Sequence, residues 1–562
     1  MKYAFLLLIF AMAALAEMSV CGTEELLPIG FTDEELMRLD EIGINTVPTA
    51  PPPDGTVNPG EFDPATGVFV RWPLDNQYGL PYSLITAISE ETTVWVICES
   101  YQQSSVNTAF TNAGVNMSNV DYVFAPTNSN WVRDYGPWFV LLEDGQQGIF
   151  NYSYNRPRPD DNNFPVVTGS NWGIPVYTST VEHTGGNYMS SGFDQAMSTN
   201  LVYDENGGNE DWVDTQMQIY LGIENYVTMD DPQGSYIDHI DCWAKMLSPG
   251  KLLILRVPPS HDDYVALEAE ADLLSNTESP YGVNWQVYRV ESSGTEGYTN
   301  SLICNDHVYL PLFGTGYDAA AISTYETALP GYTIEGFEYS GWEPTDALHC
   351  RTRNVIDNRM LFIRHIPVDS LQPSGSPVTV DALIRCHPDN TLTGHDVYYR
   401  AGTSGPFTEL SMSASGSDSF TVDIPGVSGI QTVQYYISAS DNSGREESQP
   451  RFAPDTWFFE YKTGTTGLEQ GNRPVSGLAI VKAGPNPFLS GITIQYSMVS
   501  MESVSITVCD ISGRIVDRME NSFETYADSF TWIPDETLPA GVYIIRLEAP
   551  GCSASQRVTL IR

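Results

Sequence analysis

One cysteine, one histidine and two aspartates stand in settings that suit a single kind of chemistry. Cys350 lies in Ala347-Leu348-His349-Cys350-Arg351-Thr352-Arg353. Asp238-His239-Ile240-Asp241 sets an imidazole and a carboxylate two residues apart, which a strand would turn to one face. Asp134 sits in the aromatic, turn-rich Trp131-Val132-Arg133-Asp134-Tyr135-Gly136-Pro137-Trp138. A guanidinium is a planar, permanent cation with five N–H donors in a fork, so carboxylates that accept in pairs are what hold it. Breaking its C–N bond takes a soft nucleophile and a proton donor for the departing amine. The four side chains supply that set with no cofactor required. Each alone has a plainer reading: a small buried hydrophobe for the cysteine, a core pair for His239 and Asp241, a packed turn for Arg133 and Asp134. A cysteine protease would need Cys350 and His239 but not two guanidinium-facing aspartates, and a surface adhesin with an inactive core would need none of the four.

The elements that must position these residues read as α/β from about residue 61 to 366. Short apolar runs such as Val94-Trp95-Val96-Ile97 and Lys251-Leu252-Leu253-Ile254-Leu255 alternate with helical stretches such as 262–274. The texture changes near Val368. Alternating segments at 395–400 (opening just after Gly394), 419–424 and 432–437, with a turn at Asp441-Asn442-Ser443-Gly444, predict an immunoglobulin-like β-sandwich over 368–462. A linker rich in Gly and Thr follows at 463–480, and a last all-β segment spans 481–562. In it Gly484-Pro485-Asn486-Pro487-Phe488, a hairpin turn at Asp510-Ile511-Ser512-Gly513-Arg514 and Gly541-Val542-Tyr543-Ile544-Ile545-Arg546-Leu547 occur in an order that resembles the C-terminal sorting domain of type IX secretion cargo. That resemblance implies export and a partner in the secretion machinery.

At the other end, residues 1–16 have the form of a secretory signal peptide: Lys2, an apolar run over 5–13, and Ala14-Leu15-Ala16 as a small-x-small cleavage site. A lipid anchor at Cys21 is the weaker reading because Glu17 interrupts the apolar run. Residues 17–60 are acidic and then proline-rich, as a pro-segment or linker would be. No later run is long and apolar enough for a membrane span. Lys and Arg total 26 against 71 Asp and Glu, a net charge of −45, which disfavours nucleic acid and anionic membranes and favours cationic ligands. The plainer meaning of that charge is a solvated acidic surface. The eight cysteines show no zinc spacing, so no metal site is expected; some could pair, and a structural calcium or sodium ion stays open although no loop has calcium spacing.

Taken together, residues 131–138, 154–162, 182–189, 238–246, 298–301 and 348–354 resemble, in order, segments of the Porphyromonas-type peptidylarginine deiminases, relatives of the agmatine deiminases in the guanidine-modifying superfamily. The resemblance covers about residues 60 to 366. It implies a pentein-type α/β propeller followed by two β-sandwich domains, and hydrolysis of peptidyl-arginine to citrulline and ammonia through a covalent thiouronium. It assigns Cys350 as nucleophile, His239 as general acid/base, Asp134 and Asp241 as guanidinium ligands and Asn300 as a positioning group. It places Trp131, Tyr236, Ile237 and Thr345 in the pocket wall, and gives Arg156 and Arg158 the substrate's C-terminal carboxylate, a chemistry that bidentate arginine suits. Pro157 and Pro159 favour extended backbone at both arginines, which puts them on one side if that segment is a strand. Asp346, close before Cys350, departs from the small residues expected there and could raise the thiol pKa. An agmatine deiminase is the alternative, since its decarboxylated substrate offers nothing to Arg156 and Arg158.

Overall fold

Apolar runs bounded by turn formers become short strands, and the stretches between them become the helices that connect parallel neighbours. The computed structural model of the chain describes residues 26–464 and most of 478–561. The leader expected over 1–16, Cys21, residues 465–477 of the linker, and Pro485, Pro487 and Ile511 to Gly513 of the last segment lie outside the described residues.

Up to residue 356, five sheets share one order: a first strand antiparallel to a second, and the second parallel to a third. Four of them are continuous in sequence: Trp138–Leu141, Gln147–Tyr154 and Val176–His183; Met189–Ser190, Gln195–Thr199 and Asn225–Met229; Ala244–Ser248, Lys251–Arg256 and Gln286–Glu291; Leu302–Cys304, His307–Leu312 and Thr333–Glu338. The fifth takes its first strand, Arg353–Ile356, from the far end of this region and pairs it antiparallel with Ala65–Arg71, which Thr93–Cys98 and Val120–Phe124 extend in parallel. A parallel neighbour requires a crossover, and the helices Pro159–Trp172, Glu210–Leu221, Tyr264–Ser275, Asp318–Ala328 and Tyr82–Glu91 provide one per sheet. Covered by these helices, the second strands bury nearly every residue: Leu252, Leu253, Ile254, Val308, Tyr309 and Leu310 are fully enclosed. The helix Glu210–Leu221 stops at Gly222, where φ is +70° and a Cβ would meet the Thr56 carbonyl oxygen at 2.2 Å, so only glycine serves.

Residues 362–464 are all β. The strands Phe362–Arg364, Val378–Arg385, Ser413–Ala414 and Ser419–Ile424 form one sheet; Leu392–Ala401, Thr408–Ser411, Gln431–Asp441, Glu446–Gln449 and Phe459–Gly464 lie in a second. Val380, Ile384 and Phe420 of the first share one buried cluster with Val397, Val433, Ile437 and Tyr461 of the second. The strand expected to open after Gly394 begins at Leu392 instead. Gly394 falls at a register shift inside it, where a Cβ would lie 2.6 Å from Ser440 Oγ, so this glycine marks a bulge rather than a boundary.

Contacts divide the chain after Thr463, with Leu371–Pro373 counted in the later unit. That unit holds the strands Leu478–Gly484, Ile492–Asp510, Ile515–Trp532, Gly541–Ala549 and Cys552–Leu560 in one sheet, over a core that includes Phe488, Ile494, Val508, Trp532, Ile545 and Val558. Among the described residues no helix is long and apolar enough to cross a membrane.

Candidate active site

Each of the five first strands is entered through a tight turn, and the residues with chemical potential sit on those turns. Val132–Tyr135 precedes Trp138–Leu141, Gly185–Asn187 precedes Met189–Ser190, Ile240–Cys242 precedes Ala244–Ser248, and His349–Arg351 precedes Arg353–Ile356; Thr299 and Asn300 precede Leu302–Cys304. The turns pack on one another, Val132–Tyr135 against both Gly185–Asn187 and His349–Arg351. His239 and Asp241 therefore do not lie on a strand as expected. His239 caps a 3-10 turn that contains Asp241, and the preceding Asp238 has a left-handed φ of 53°. The side chains still converge because the turn, not a pleat, aims them.

Cys350 is fully buried. Its thiol donates to Asp241 Oδ2 at 3.5 Å and accepts from Asn300 Nδ2 at 3.2 Å. Asn300 also holds the loop that carries the sulfur: its Oδ1 accepts the backbone N–H groups of Ala347 and His349, both at 3.0 Å, and of Cys350 at 3.2 Å. Asp134 Oδ1 accepts the N–H of Gly186 at 3.0 Å and faces His239 Nδ1 at 3.7 Å. Neither ring nitrogen of the buried His239 has a hydrogen-bond partner. A buried polar group left unmatched is costly, and such groups concentrate where a structure does chemistry rather than where it only packs. Gly186 makes the opening: a Cβ there would stand 2.6 Å from both Asp134 Oδ1 and His239 Nδ1, and 3.3 Å from Asp241 Oδ2.

Charge within this enclosure is unequal. Burial, and then the Asp241 charge, lift the Asp134 carboxyl to about 7. Burial pushes Asp241 the same way, but the hydrogen bond and charge of His349, with His239 and Arg133, outweigh it and hold Asp241 below the usual carboxylate range. Burial lowers His239 to about 4, so its ring is neutral at pH 7. Burial and the Asp241 and Asp134 charges push the Cys350 thiol well up. Asp134, Asp241, a neutral imidazole and a thiol thus lie together, with the negative charge concentrated on Asp241.

A second group of residues, not singled out from the sequence, supports the first. His349 Nδ1 contacts Asp241 Oδ2 at 2.7 Å and its Nε2 contacts Glu61 Oε2 at 2.5 Å. Glu61 also pairs with Lys245 Nζ at 2.5 Å and with an Arg133 guanidinium nitrogen at 3.0 Å. Burial pulls the His349 ring toward neutrality. Geometry opposes this and decides: a ring between two acceptor carboxylates satisfies both only as a double donor, the imidazolium. Arg133 and Lys245 lie inside segments already marked as motifs, and His349 adjoins Cys350. Glu61 carried no signal beyond its place at the start of the α/β region.

Of the remaining expected residues, Trp131 and Ile237 are buried, Thr345 is half-buried with its carbonyl accepting the Cys242 thiol at 3.2 Å, and Tyr236 is 68% exposed. Asp346 is engaged by Arg351 Nη2 at 2.8 Å, and burial lifts its carboxyl to about 6 despite that partner. Its charge adds a minor share to the upward push on Cys350. Arg158 is not on a strand but caps the helix Pro159–Trp172. Both arginines nevertheless reach one stretch of chain. Arg156 Nε donates to the Ile29 carbonyl at 3.1 Å and its guanidinium lies 4.2 Å from the Phe31 ring centroid. Arg158 grips Glu35 through Nε at 2.7 Å and Nη2 at 3.1 Å. Cys98, Cys242, Cys304, Cys350, Cys386 and Cys509 are free thiols.

Comparison with known proteins places this geometry. Residues 57–355 match the Porphyromonas-type peptidyl-arginine deiminase family, and residues 483–560 match a secretion system C-terminal sorting domain, the mark of a secreted or cell-surface protein. A protein of Vibrio parahaemolyticus provisionally named an agmatine deiminase is 26% identical over 344 residues, covering 51% of this chain and 92% of its own. A similarly named Photobacterium profundum protein is 22% identical over 343 residues, with the same shares of 51% and 92%. In fold, the agmatine deiminase of Enterococcus faecalis superposes with a TM-score of 0.51 at 18% identity, covering 56% of this chain and 99% of its own. Since the family match runs through all five turns around the buried thiol and its carboxylates, the chain belongs to the Porphyromonas-type peptidyl-arginine deiminases, hydrolases that act on amidine C–N bonds.

Proposed function

We propose that the protein converts arginine, at the C-terminal end of peptides, to citrulline and ammonia through a covalent thiouronium on Cys350. The observation that carries this reading is the convergence of Cys350, Asp241, Asp134 and the unpartnered His239 on one buried space. Asp134 and Asp241 grip the guanidinium. As sulfur bonds to the guanidinium carbon, the thiol proton passes to His239, whose neutral ring can take it, and from there to the departing nitrogen. The C–N bond breaks and ammonia leaves. A water then gives a proton to His239 while its oxygen attacks the same carbon. The C–S bond breaks, sulfur regains a proton from His239, and the remaining water proton leaves with ammonia as ammonium. No cofactor enters any step.

The peptide part of the reading rests on Arg156 and Arg158, whose guanidinium groups suit a carboxylate. The agmatine reading is favoured by the names of the relatives, but agmatine offers neither arginine a partner. The finer architecture follows the same reading: five sheets as blades of an α/β propeller, all-β regions at 368–462 and 481–562 as sandwiches, and export by the type IX route after removal of a leader at 1–16.

Ammonia and citrulline release from a peptide ending in arginine, from one with internal arginine and from agmatine tests the assignment, with Cys350→Ala as control. The peptide with terminal arginine should be the best substrate. Replacing the nucleophile should cut turnover by about 10⁴-fold or more while leaving binding. Equal or better turnover of agmatine defeats the peptide reading, and turnover retained without the thiol defeats the covalent one.

A further inference from the structure

The stretch 35–39 buries the wrong residue for a structural extension. Leu36, Met37 and Leu39 are 53%, 77% and 46% exposed, whereas Glu35 is 4% exposed. Elements that exist to stabilise a fold bury their apolar side chains and leave carboxylates in water. Here the carboxylate goes in, and it goes to Arg158, which binds both of its oxygens and takes the Pro28 and Gly30 carbonyls at 2.7 and 3.0 Å. Thr32 orients it: the Thr32 N–H donates to Glu35 Oε2 at 2.9 Å, and the Glu35 N–H donates to Thr32 Oγ1 at 3.1 Å.

The rest of the segment crosses the site. Trp131 Nε1 donates to the Leu27 carbonyl at 3.0 Å, and a Cβ on Gly30 would meet the Tyr236 ring at 2.9 Å. Ile29 is 1% exposed and belongs to the same buried cluster as Trp131, Ile237 and Cys350. Main-chain carbonyls on two arginines, an apolar side chain directed inward and a carboxylate on a bidentate arginine are the contacts a peptide makes in a cleft.

We infer that residues 27–37 are a substrate-mimicking pro-segment seated in the peptide-binding cleft, with Glu35 standing at Arg158 for the carboxylate of the peptide. This rests on the reading of Arg156 and Arg158 given above. The tether makes such a competitor effective even when its own contacts are weak, because a short linker holds it at roughly millimolar local concentration. A cut in the chain that follows releases it, and that chain is accessible: Ile44 and Val47 are 71% and 76% exposed.

The test uses the full chain with a site-specific protease sequence inserted between Asn45 and Thr46, assayed before and after cutting on a peptide ending in arginine. Cutting should lower KM by about tenfold or more, as release of a closed state does, with a smaller change in kcat. Glu35→Gln in the uncut chain should move KM in the same direction. A synthetic peptide of residues 26–38 added to the cut chain should compete with substrate, and its Glu35→Gln form should compete at least about tenfold less well, by loss of a charge-assisted pair. Identical KM before and after cutting, or a cut chain that loses activity together with its thermal midpoint, overturns the inference. If neither form releases ammonia from any substrate, the deiminase reading has failed on its own. Glu35-dependent binding of the synthetic peptide to the cut chain, read by calorimetry, would still support the seat, and absence of that binding would remove it.

Discussion

His349 binds Asp241 at 2.7 Å through Nδ1, so the residue next to Cys350 fixes the carboxylate that the Cys350 sulfur faces. Asp241 has one oxygen, Oδ2, that touches both the His349 ring and the Cys350 sulfur. The other end of the ring is anchored by Glu61, itself held by Lys245 and Arg133. A chain of charge-assisted bonds therefore runs from the back of the site to the sulfur, and its members share few alternatives.

His349→Gln removes the cation but keeps a polar side chain of similar reach. A displacement of the carboxylate by even an ångström costs about 10²-fold in rate, so kcat/KM should fall by that order. KM should carry more of the loss than kcat if Asp241 grips the guanidinium as proposed, since that contact forms before any bond breaks. Steady-state kinetics on a peptide ending in arginine decides it. A variant with unchanged KM would mean that Asp241 is held by something else.

Gly186 offers a sharper case, because nothing there needs a left-handed backbone and the constraint is space alone. A Cβ would come within 2.6 Å of both Asp134 Oδ1 and His239 Nδ1. Gly186→Ala should cut kcat/KM by about 10²-fold or more through displaced catalytic atoms, with a thermal midpoint close to that of the parent. Full activity in the alanine variant would show that the two side chains do not work at this separation.

The residue types of the site could be read from the sequence; its support could not. Cys350, His239, Asp241 and Asp134 stand out because a soft nucleophile, an imidazole and paired acids suit one reaction, and the structure brings them onto neighbouring turns. His239 and Asp241 sit on a 3-10 turn rather than a strand, since two residues cannot report which of these contains them and packing against Gly185–Asn187 settles it. Glu61 was silent because its meaning lies in three charged partners at sequence separations of 72, 184 and 288 residues. The acidic, proline-rich composition of 17–60 pointed to a pro-segment, but composition does not say where such a segment rests. Helices and strands such as Tyr264–Ser275 and Ser419–Ile424 were legible because their apolar period repeats over several residues.

The pH dependence of substrate capture should belong to Asp134. Its carboxyl is lifted to about 7, so it is largely protonated below that pH and cannot oppose the cation fully. His239, lowered to about 4, is neutral throughout pH 5 to 7 and cannot produce a limb there. As pH falls from 7 to 5, kcat/KM should drop by about tenfold per unit, the slope of one proton taken up by the free enzyme. The bound cation favours the charged carboxylate, so kcat should depend less on pH than kcat/KM does. A profile of kcat/KM that is flat between pH 5 and 7 would exclude Asp134 as the limiting group.

Asn300 separates positioning from charge. Its Oδ1 gathers three backbone N–H groups of the cysteine loop, while its Nδ2 donates to the sulfur at 3.2 Å. Asn300→Ala leaves the buried Ala347 and Cys350 donors unmatched, while the His349 N–H keeps the main-chain carbonyl of residue 300. Each unmatched donor costs about 1–3 kcal/mol where no water replaces the oxygen, so the thermal midpoint should fall and activity with it. Asn300→Asp keeps an acceptor for the loop but exchanges a donor to sulfur for a second negative charge beside it. That variant should retain most of the thermal stability and still lose kcat, with the thiol reacting more slowly with iodoacetamide than in the parent, because a nearby anion disfavours the thiolate. Should the aspartate variant alkylate as fast as the parent and turn over normally, the amide serves only to fold the loop, and its N–H plays no part in readying Cys350.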